Sequence, residues 1–289
     1  MLTELPIARA KTAPSSSDSV STVVVKRVHY AVVAPAGAAV LLKFAEPQQR
    51  VALLEEFNAG TFPELPAINA QEPTPDFICA CLSAPSSDLV SRAETWLDPQ
   101  GSAAGASVRV KFRQGWARLK PGVAVLCAPR EDWEPLLAAL ADFAFFEFEL
   151  GQLEQEIASD WGRAENDLPL ASDVSSDDLS RVGDVSAMTQ LVFMRRIRLA
   201  KLERSLEKTQ APLPRHARAF AARLRARFDI AHRAETLDGQ IEVYEYVYEL
   251  ANQRMGEYRN FRREYVLEIA IVLLLASELA VMLWEHFTP

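Results

Sequence analysis

Residues 263–289 read REYVLEIAIVLLLASELAVMLWEHFTP, and this stretch decides how the whole chain is organised. Its apolar part would extend about 28 Å as an α-helix, which matches the hydrocarbon thickness of a bilayer. Two carboxylates, Glu268 and Glu278, lie inside it. The stretch predicts a transmembrane helix over 265–285. The alternative is a buried helix in the core of a soluble coiled-coil oligomer.

A group of arginines, Arg259, Arg262 and Arg263, comes just before the apolar run. By the positive-inside rule, these charges keep the preceding part of the chain on the cytoplasmic side. The N-terminal region has no apolar stretch typical of a signal peptide. We therefore expect a tail-anchored, single-pass protein of the cytoplasmic (inner) membrane, or of the mitochondrial inner membrane in a eukaryote.

The deeper carboxylate, Glu278, would cost several kcal/mol as a charge inside lipid. It is therefore expected to be protonated, or hydrogen-bonded across a contact between two helices. The neighbouring Ala276, Ser277 and Ala280 are small enough to allow two helices to approach closely. Glu268 lies nearer the headgroups. Glu268, Ser277 and Glu278 are thus predicted to make the membrane contact or to mediate homo-oligomerisation.

The N-terminal half predicts a polar disordered tail over 1–22, followed by a mixed α/β domain over 23–158. Runs of β-branched and apolar residues predict strands at 23–33 and 76–84, and a strand–turn–strand unit at 107–128. Helical spacing or capping residues predict helices at 44–60, at 86–98 and from 129 onward.

The second half predicts helices that lead to the membrane segment. The Ser- and Asp-rich stretch 159–186 predicts a mobile acidic loop. Over 187–264 apolar residues recur at steps of three or four, which is typical of a coiled-coil-like seam. Pro212 and Pro214 interrupt this pattern, so we expect an antiparallel helical hairpin. The second helix is predicted to run from Pro214 into the bilayer without a break.

Charge is segregated along the chain. The net charge is −8, yet basic residues are concentrated within the predicted hairpin. We interpret this region as a surface for an anionic partner such as ribosomal RNA, which would bind through counterion release. The alternative is that these arginines neutralise the acidic loop or adjacent subunits. The predicted partner surface comprises Arg195, Arg196, Arg198, Arg218, Arg223, Arg225 and Arg227.

Motifs that would indicate catalysis are missing from the sequence. The three cysteines have no CxxC spacing, and the four histidines are scattered without an HExxH pattern. There is no phosphate-binding glycine loop with its lysine and no GxSxG. We predict no catalytic residues, no metal and no cofactor. The alternative is an enzyme or a nucleic-acid-processing protein with its site in the α/β domain.

Several segments, in the same order along the chain, resemble a known family. Leu267-Glu268 is followed ten residues later by Glu278. The other segments are KPGVAVLCAPREDWEPLLAALADFA (120–144), FELGQLEQEI (148–157) and RFDIAHRAETLD (227–238). They are similar to segments of the Rmd/YagE family ("required for meiotic nuclear division"), with Gly122, Glu154 and Arg233 at family positions. The chain departs from the pattern at Leu126-Cys127 and Asp238.

This resemblance covers roughly residues 23–285 and implies architecture more than activity. Members of that family are membrane-anchored, and those in mitochondria support translation at the inner membrane as oligomeric tethers. The sequence therefore predicts an α+β chain: an α/β domain, a long helical hairpin and a transmembrane helix. Its expected function is that of a self-associating membrane scaffold or tether.

Overall fold

A computed structural model describes residues 23–45, 49–57, 62, 74–83, 85–98, 107–113, 115–207 and 212–287. The tail predicted over 1–22 lies outside these residues. The described chain is α+β, as the sequence predicts: a seven-stranded mixed sheet comes first, then long helices, and finally an exposed apolar helix.

The sheet has the strand order β2-β3-β1-β4-β7-β6-β5, and β4 pairs with β7 in the parallel sense while all other neighbours are antiparallel. β4 reads FICACL and is buried along its whole length, because helices cover both faces of the sheet at its centre. The strands are β1 (Val23–Ala31), β2 (Ala39–Phe44), β3 (Arg50–Phe57), β4 (Phe77–Leu82), β5 (Val108–Phe112), β6 (Gly115–Lys120) and β7 (Val123–Cys127).

The helix predicted over 44–60 is wrong. β2 ends at Phe44, and β3 occupies most of the remaining described residues. β3 lies between β1 and β2 and pairs with both, which buries Ala52 and Leu53. The short apolar run fits a helix or a strand equally well, and pairing on both sides decides the outcome.

One face of the sheet is covered by α1 (Ser87–Leu97). The predicted cap is confirmed, because the Ser86 hydroxyl accepts a hydrogen bond from the Leu89 N–H at 3.3 Å. Leu89, Ala93 and Leu97 point into the sheet. The opposite face packs against α2 (Trp133–Asp167), which begins over the sheet and continues beyond it.

The predicted acidic loop over 159–186 is shorter in the structure. α2 extends to Asp167, and α3 (Val182–Glu207) begins soon afterwards. Two 3-10 turns, Leu168–Ala171 and Asp177–Arg181, lie between them. Buried Asp167 accepts a hydrogen bond from the Tyr248 hydroxyl at 3.0 Å. This contact holds the start of the segment between α2 and α3 against α5.

The predicted hairpin is part of a three-helix bundle, because α2 also packs against it. α4 (Arg215–Arg227) and α5 (Ile230–Phe287) follow α3. α3 is antiparallel to α5, since Arg196 meets Asp238 while Thr189 meets Asn252. The helix predicted to start at Pro214 is divided at Asp229, whose φ of 52° is left-handed and therefore ends a helix.

α5 is an uninterrupted helix of 58 residues, about 87 Å long at 1.5 Å per residue. Up to Met255 one of its faces is buried in the bundle, with Leu237, Ile241 and Tyr248 almost inaccessible to solvent. From Phe261 to Met282 every residue is exposed. The same helix therefore belongs to the folded domain at one end and projects from it at the other.

Candidate membrane and partner surfaces

The exposed end of α5 is the largest apolar surface of the described chain. Its most hydropathic 18-residue window has a mean hydropathy of 2.2, and none of that window is buried. Leucines in its middle are highly exposed, for example Leu273 at 64% and Leu274 at 68%. Contiguous apolar surface of this size marks an interaction site, either with lipid or with protein.

The predicted intramembrane residues are placed as follows. Glu268, Ser277 and Glu278 are all exposed on α5. The Ser277 hydroxyl donates to the Leu274 carbonyl of its own helix at 2.7 Å, which satisfies the hydroxyl without a partner helix. Neither carboxylate has an ion-pair partner in the part of the chain that the structure describes, so both are available for contacts outside it.

A second predicted group, Arg259, Arg262 and Arg263, lies on the exposed part of α5 between the bundle and the apolar residues. This placement fits the predicted role of the three arginines in topology, although the orientation in a membrane stays a prediction.

The bundle is held together by arginines of α3 that bind carboxylates of α2. Arg198 donates to Glu149 at 2.9 Å and to Glu156 at 2.9 Å. Arg195, whose side chain is 8% exposed, donates to Asp160 at 2.6 Å and also pairs with Glu156. These charge-assisted contacts fix the register of α3 against α2.

Two further arginines join the later helices to α2. Arg233, at the start of α5, donates to both carboxylate oxygens of Glu154, at 2.8 and 2.7 Å, and to Glu147 at 3.3 Å. The hydrogen bonds to Glu154 raise the pKa of Arg233, which keeps this bidentate pair charged. Arg225 of α4 binds Asp142 at 2.9 Å.

Buried tyrosines of α5 complete the contact with α2. The Tyr244 hydroxyl donates to the Ile157 carbonyl at 2.9 Å, and burial raises the pKa of Tyr244 to about 12. Burial and the nearby Asp167 also raise the pKa of Tyr248. Both phenols therefore stay neutral donors across the physiological pH range, which stabilises the seam between these helices.

Most of the predicted partner surface is engaged inside the molecule. Arg195, Arg198 and Arg225 bind carboxylates of α2, and Arg196 pairs with Asp238 and Glu245 of α5. The charges of these arginines are neutralised inside the molecule, which was the alternative to a partner surface. The carboxylates that neutralise them lie mainly on α2 and α5 rather than in the acidic loop.

The remaining predicted arginines lie on α4 and are exposed. Arg223 donates to the Lys111 carbonyl at 2.9 Å. Arg218 and Arg227 have no carboxylate partner among the described residues, so their charges face solvent. The basic surface open to another molecule is therefore smaller than the sequence predicts and is centred on α4.

The carboxylates of α2 are partners of the bundle arginines that the sequence reasoning missed. Glu147 and Glu149 stand two residues apart, which points them in different directions on a helix and suggests solvated side chains. The informative spacing is seven: Glu147 with Glu154, and Glu149 with Glu156, each share a face. Each of these pairs holds one arginine, Arg233 and Arg198 respectively.

If the protein were an enzyme, the alternative raised by the sequence, a cleft between the sheet and α2 would be the first candidate for its active site. Its walls are mainly apolar, and they include Asp76, Lys120 and Glu147. Each charged group already has a partner: Asp76 accepts the Tyr30 N–H, Lys120 binds Asp98, and Glu147 binds Arg233.

The cysteines of β4 are buried and inert in character. The Cys79 and Cys81 sulfurs are 4.0 Å apart on the same face of the strand. The contact with Cys81, together with burial, raises the pKa of Cys79 and so disfavours the reactive thiolate. Within the described residues, no three His, Cys, Asp or Glu side chains are grouped as metal ligands would be.

Taken together, the fold defines an α+β domain carried on a helical bundle, with one candidate membrane-spanning helix. No family model matches the chain, and no curated protein matches it. Solved structures that match include the CorA magnesium transporter from Methanocaldococcus jannaschii, with 8% identity over 86% of this chain and 81% of the transporter chain, and a TM-score of 0.33. Similarity of this degree assigns no function.

Proposed function

We propose that this protein is a membrane-anchored scaffold or tether, related to the Rmd/YagE family, that holds its α/β domain beside a bilayer. One observation supports the proposal above all. α5 is a single helix, buried in the bundle up to Met255 and exposed over its whole apolar end. An exposed apolar helix of this length would be unfavourable in water and suits the bilayer interior.

The scaffold role rests on how the charged residues are used. The arginines of the bundle join helices to one another, and the charged groups of the cleft are already paired. Such an arrangement stabilises a rigid support. The alternative of an enzyme has no specific observation in its favour.

Alkaline carbonate extraction of membranes tests the anchor. We expect the full-length protein to stay in the pellet, because the apolar end of α5 would be embedded in lipid. Protease added from the cytoplasmic side should digest the α/β domain, as the arginines before the apolar run require. Release into the supernatant would end the anchor proposal, and protection of the domain would reverse the orientation.

Self-association is a further part of the proposal, and Glu278 is the residue we assign to it. A protonated carboxyl on one helix can hydrogen-bond to the same group on another copy, beside the small residues Ala276 and Ala280. Glu278→Leu should weaken association in detergent roughly tenfold, as expected for an interhelical hydrogen bond. Glu264→Leu, at an exposed position before the apolar run, is the matched control. Equal association of Glu278→Leu and the unmodified protein would contradict the assignment.

For an anionic partner such as ribosomal RNA, we propose the exposed arginines of α4. Reversing Arg218 and Arg227 to Glu should abolish salt-dependent co-purification of RNA, because these charges face solvent. Reversing Arg27 and Arg92, exposed on the sheet domain, changes the net charge equally and serves as the control. RNA recovery that is unchanged by the α4 variant, or lost equally in both variants, contradicts a specific surface.

A further inference from the structure

A shallow pocket forms where α5 leaves the bundle, and it combines cationic with apolar side chains. One wall is α5, and the other is the 3-10 turn Asp177–Arg181. The lining residues are Leu179, Arg259, Arg262, Arg263, Val266 and Leu267.

The arginines converge on the pocket because of their spacing. Arg259 lies three residues before Arg262 and four before Arg263, so both later side chains lie on the same face of α5 as Arg259. Arg259 and Arg262 continue the face that carries buried Met255 one turn earlier. All three are exposed, and none has a carboxylate partner among the described residues. This distinguishes them from Arg195, Arg198 and Arg233, which bind carboxylates of α2.

The 3-10 turn follows α5 towards its apolar end. Ser172, Asp173 and Val174 lie beside Arg254 and Phe261. A few residues further on, Leu179 reaches the level of Val266 and Leu267, where the apolar run begins. The pocket therefore has a cationic part on the side of the bundle and an apolar part on the side of the membrane segment.

One acidic group of the turn, Asp178, is engaged within its own segment. The Asp178 carboxylate accepts hydrogen bonds from the Ser175 N–H at 2.9 Å and from the Ser175 hydroxyl at 2.6 Å. Ser175 lowers the pKa of Asp178, and the carboxylate is held within its own turn. The three guanidinium groups thus keep their capacity for an external anion.

We propose that this pocket binds the phosphate of an anionic phospholipid headgroup, with its acyl chain against Leu179, Val266 and Leu267. The inference rests on the membrane anchor proposed above. Guanidinium groups bind phosphate oxygens in a bidentate manner, and the adjoining leucines and valine suit the first methylenes of the chain. The apolar part of the pocket favours a lipid over a free phosphate, because a soluble ion would leave that part empty.

The test uses the full-length protein in lipid nanodiscs of phosphatidylcholine, with or without phosphatidylglycerol, followed by native mass spectrometry of retained lipid. We expect preferential retention of phosphatidylglycerol. Replacing the three arginines together by Gln should lower the affinity roughly 100-fold, because each charge contributes about 1 kcal/mol, or about a fivefold loss. Leu179→Asp should also lower it, by introducing a charge where the chain would lie.

Two control variants distinguish a specific lipid-binding site from general electrostatic attraction between the protein and anionic lipid. Replacing Arg215, Arg218 and Arg227 by Gln removes the same charge far from the pocket and should leave retention unchanged. Lysine at all three pocket positions keeps the charge, and it should still weaken binding several-fold because bidentate contacts are lost. Equal retention of both lipids, a Gln variant that behaves like the unmodified protein, or displacement by inorganic phosphate would overturn the proposal.

The same experiment distinguishes failure of the anchor from failure of the pocket. A protein that enters phosphatidylcholine nanodiscs and binds no phosphatidylglycerol refutes the lipid pocket alone. A protein that enters no nanodisc refutes the anchor, and the pocket proposal falls with it.

Discussion

Replacing Arg198 by Met lowers the free energy of unfolding by about 3 kcal/mol, the low end of the cost of removing one partner of a buried ion pair. Glu149, whose side chain is 5% exposed, would be left in the interior without the guanidinium that binds it. Urea unfolding of the full-length protein in detergent, followed by circular dichroism, measures this loss as a lower midpoint at constant slope.

A double variant separates the pair from the packing around it. Glu149→Leu combined with Arg198→Met removes both charges, and we expect it to recover most of the loss, because an apolar pair of similar volume needs no compensation. Arg196→Met is the matched control. Arg196 and Asp238 are 39% and 41% exposed, so breaking their pair should cost at most about 1 kcal/mol. Equal losses for Arg196→Met and Arg198→Met would contradict the role of the buried seam.

Leu274→Arg should convert a carbonate-resistant protein into one that is extracted from membranes. Near the centre of the span, arginine is unfavourable by about 2.5–3.5 kcal/mol while leucine is favourable by about 0.3–0.6 kcal/mol, so the insertion free energy changes by about 3–4 kcal/mol. This corresponds to a loss of roughly 100- to 1000-fold in the ratio of inserted to free protein. Western blotting of pellet and supernatant after carbonate treatment reads the ratio directly.

Ile197→Arg provides the control for this substitution. Ile197 lies on the exposed face of α3, with 51% of its surface accessible, so a new arginine there disturbs neither the core nor the span. The fraction in the pellet should match that of the unmodified protein. If both variants remain in the pellet, the apolar end of α5 is not what holds the protein to the membrane.

The parts of the fold that follow a local pattern could be predicted from the sequence. β4 is a short apolar run between turn residues, and α1 begins at a serine cap; both are where the pattern places them. β3 could not be predicted in this way, because RVALLEEF becomes a strand through pairing with β1 and β2, and such pairing is not visible in a local window.

The candidate sites show the same division. The apolar run of α5 follows from composition and is evident in the sequence, whereas its exposure is visible only in the structure. Which arginines are free depends on tertiary contacts: Arg195 and Arg218 look alike in the sequence, yet one is 7% exposed beside Asp160 and the other faces solvent. Counting basic residues along the sequence therefore overestimates a binding surface when carboxylates on a neighbouring helix recur at the spacing that lets them bind those residues.

The unbroken course of α5 has a mechanical consequence for a protein held in a bilayer. The part of α5 that precedes the apolar run, from Ile230 to Glu264, is about 50 Å long and has no hinge. Tilting the helix by about 20° about its membrane segment would therefore move the far end sideways by roughly 20 Å. A transmembrane helix of given length tilts more in a thinner bilayer. Local membrane thickness would therefore determine how far the sheet domain is displaced sideways.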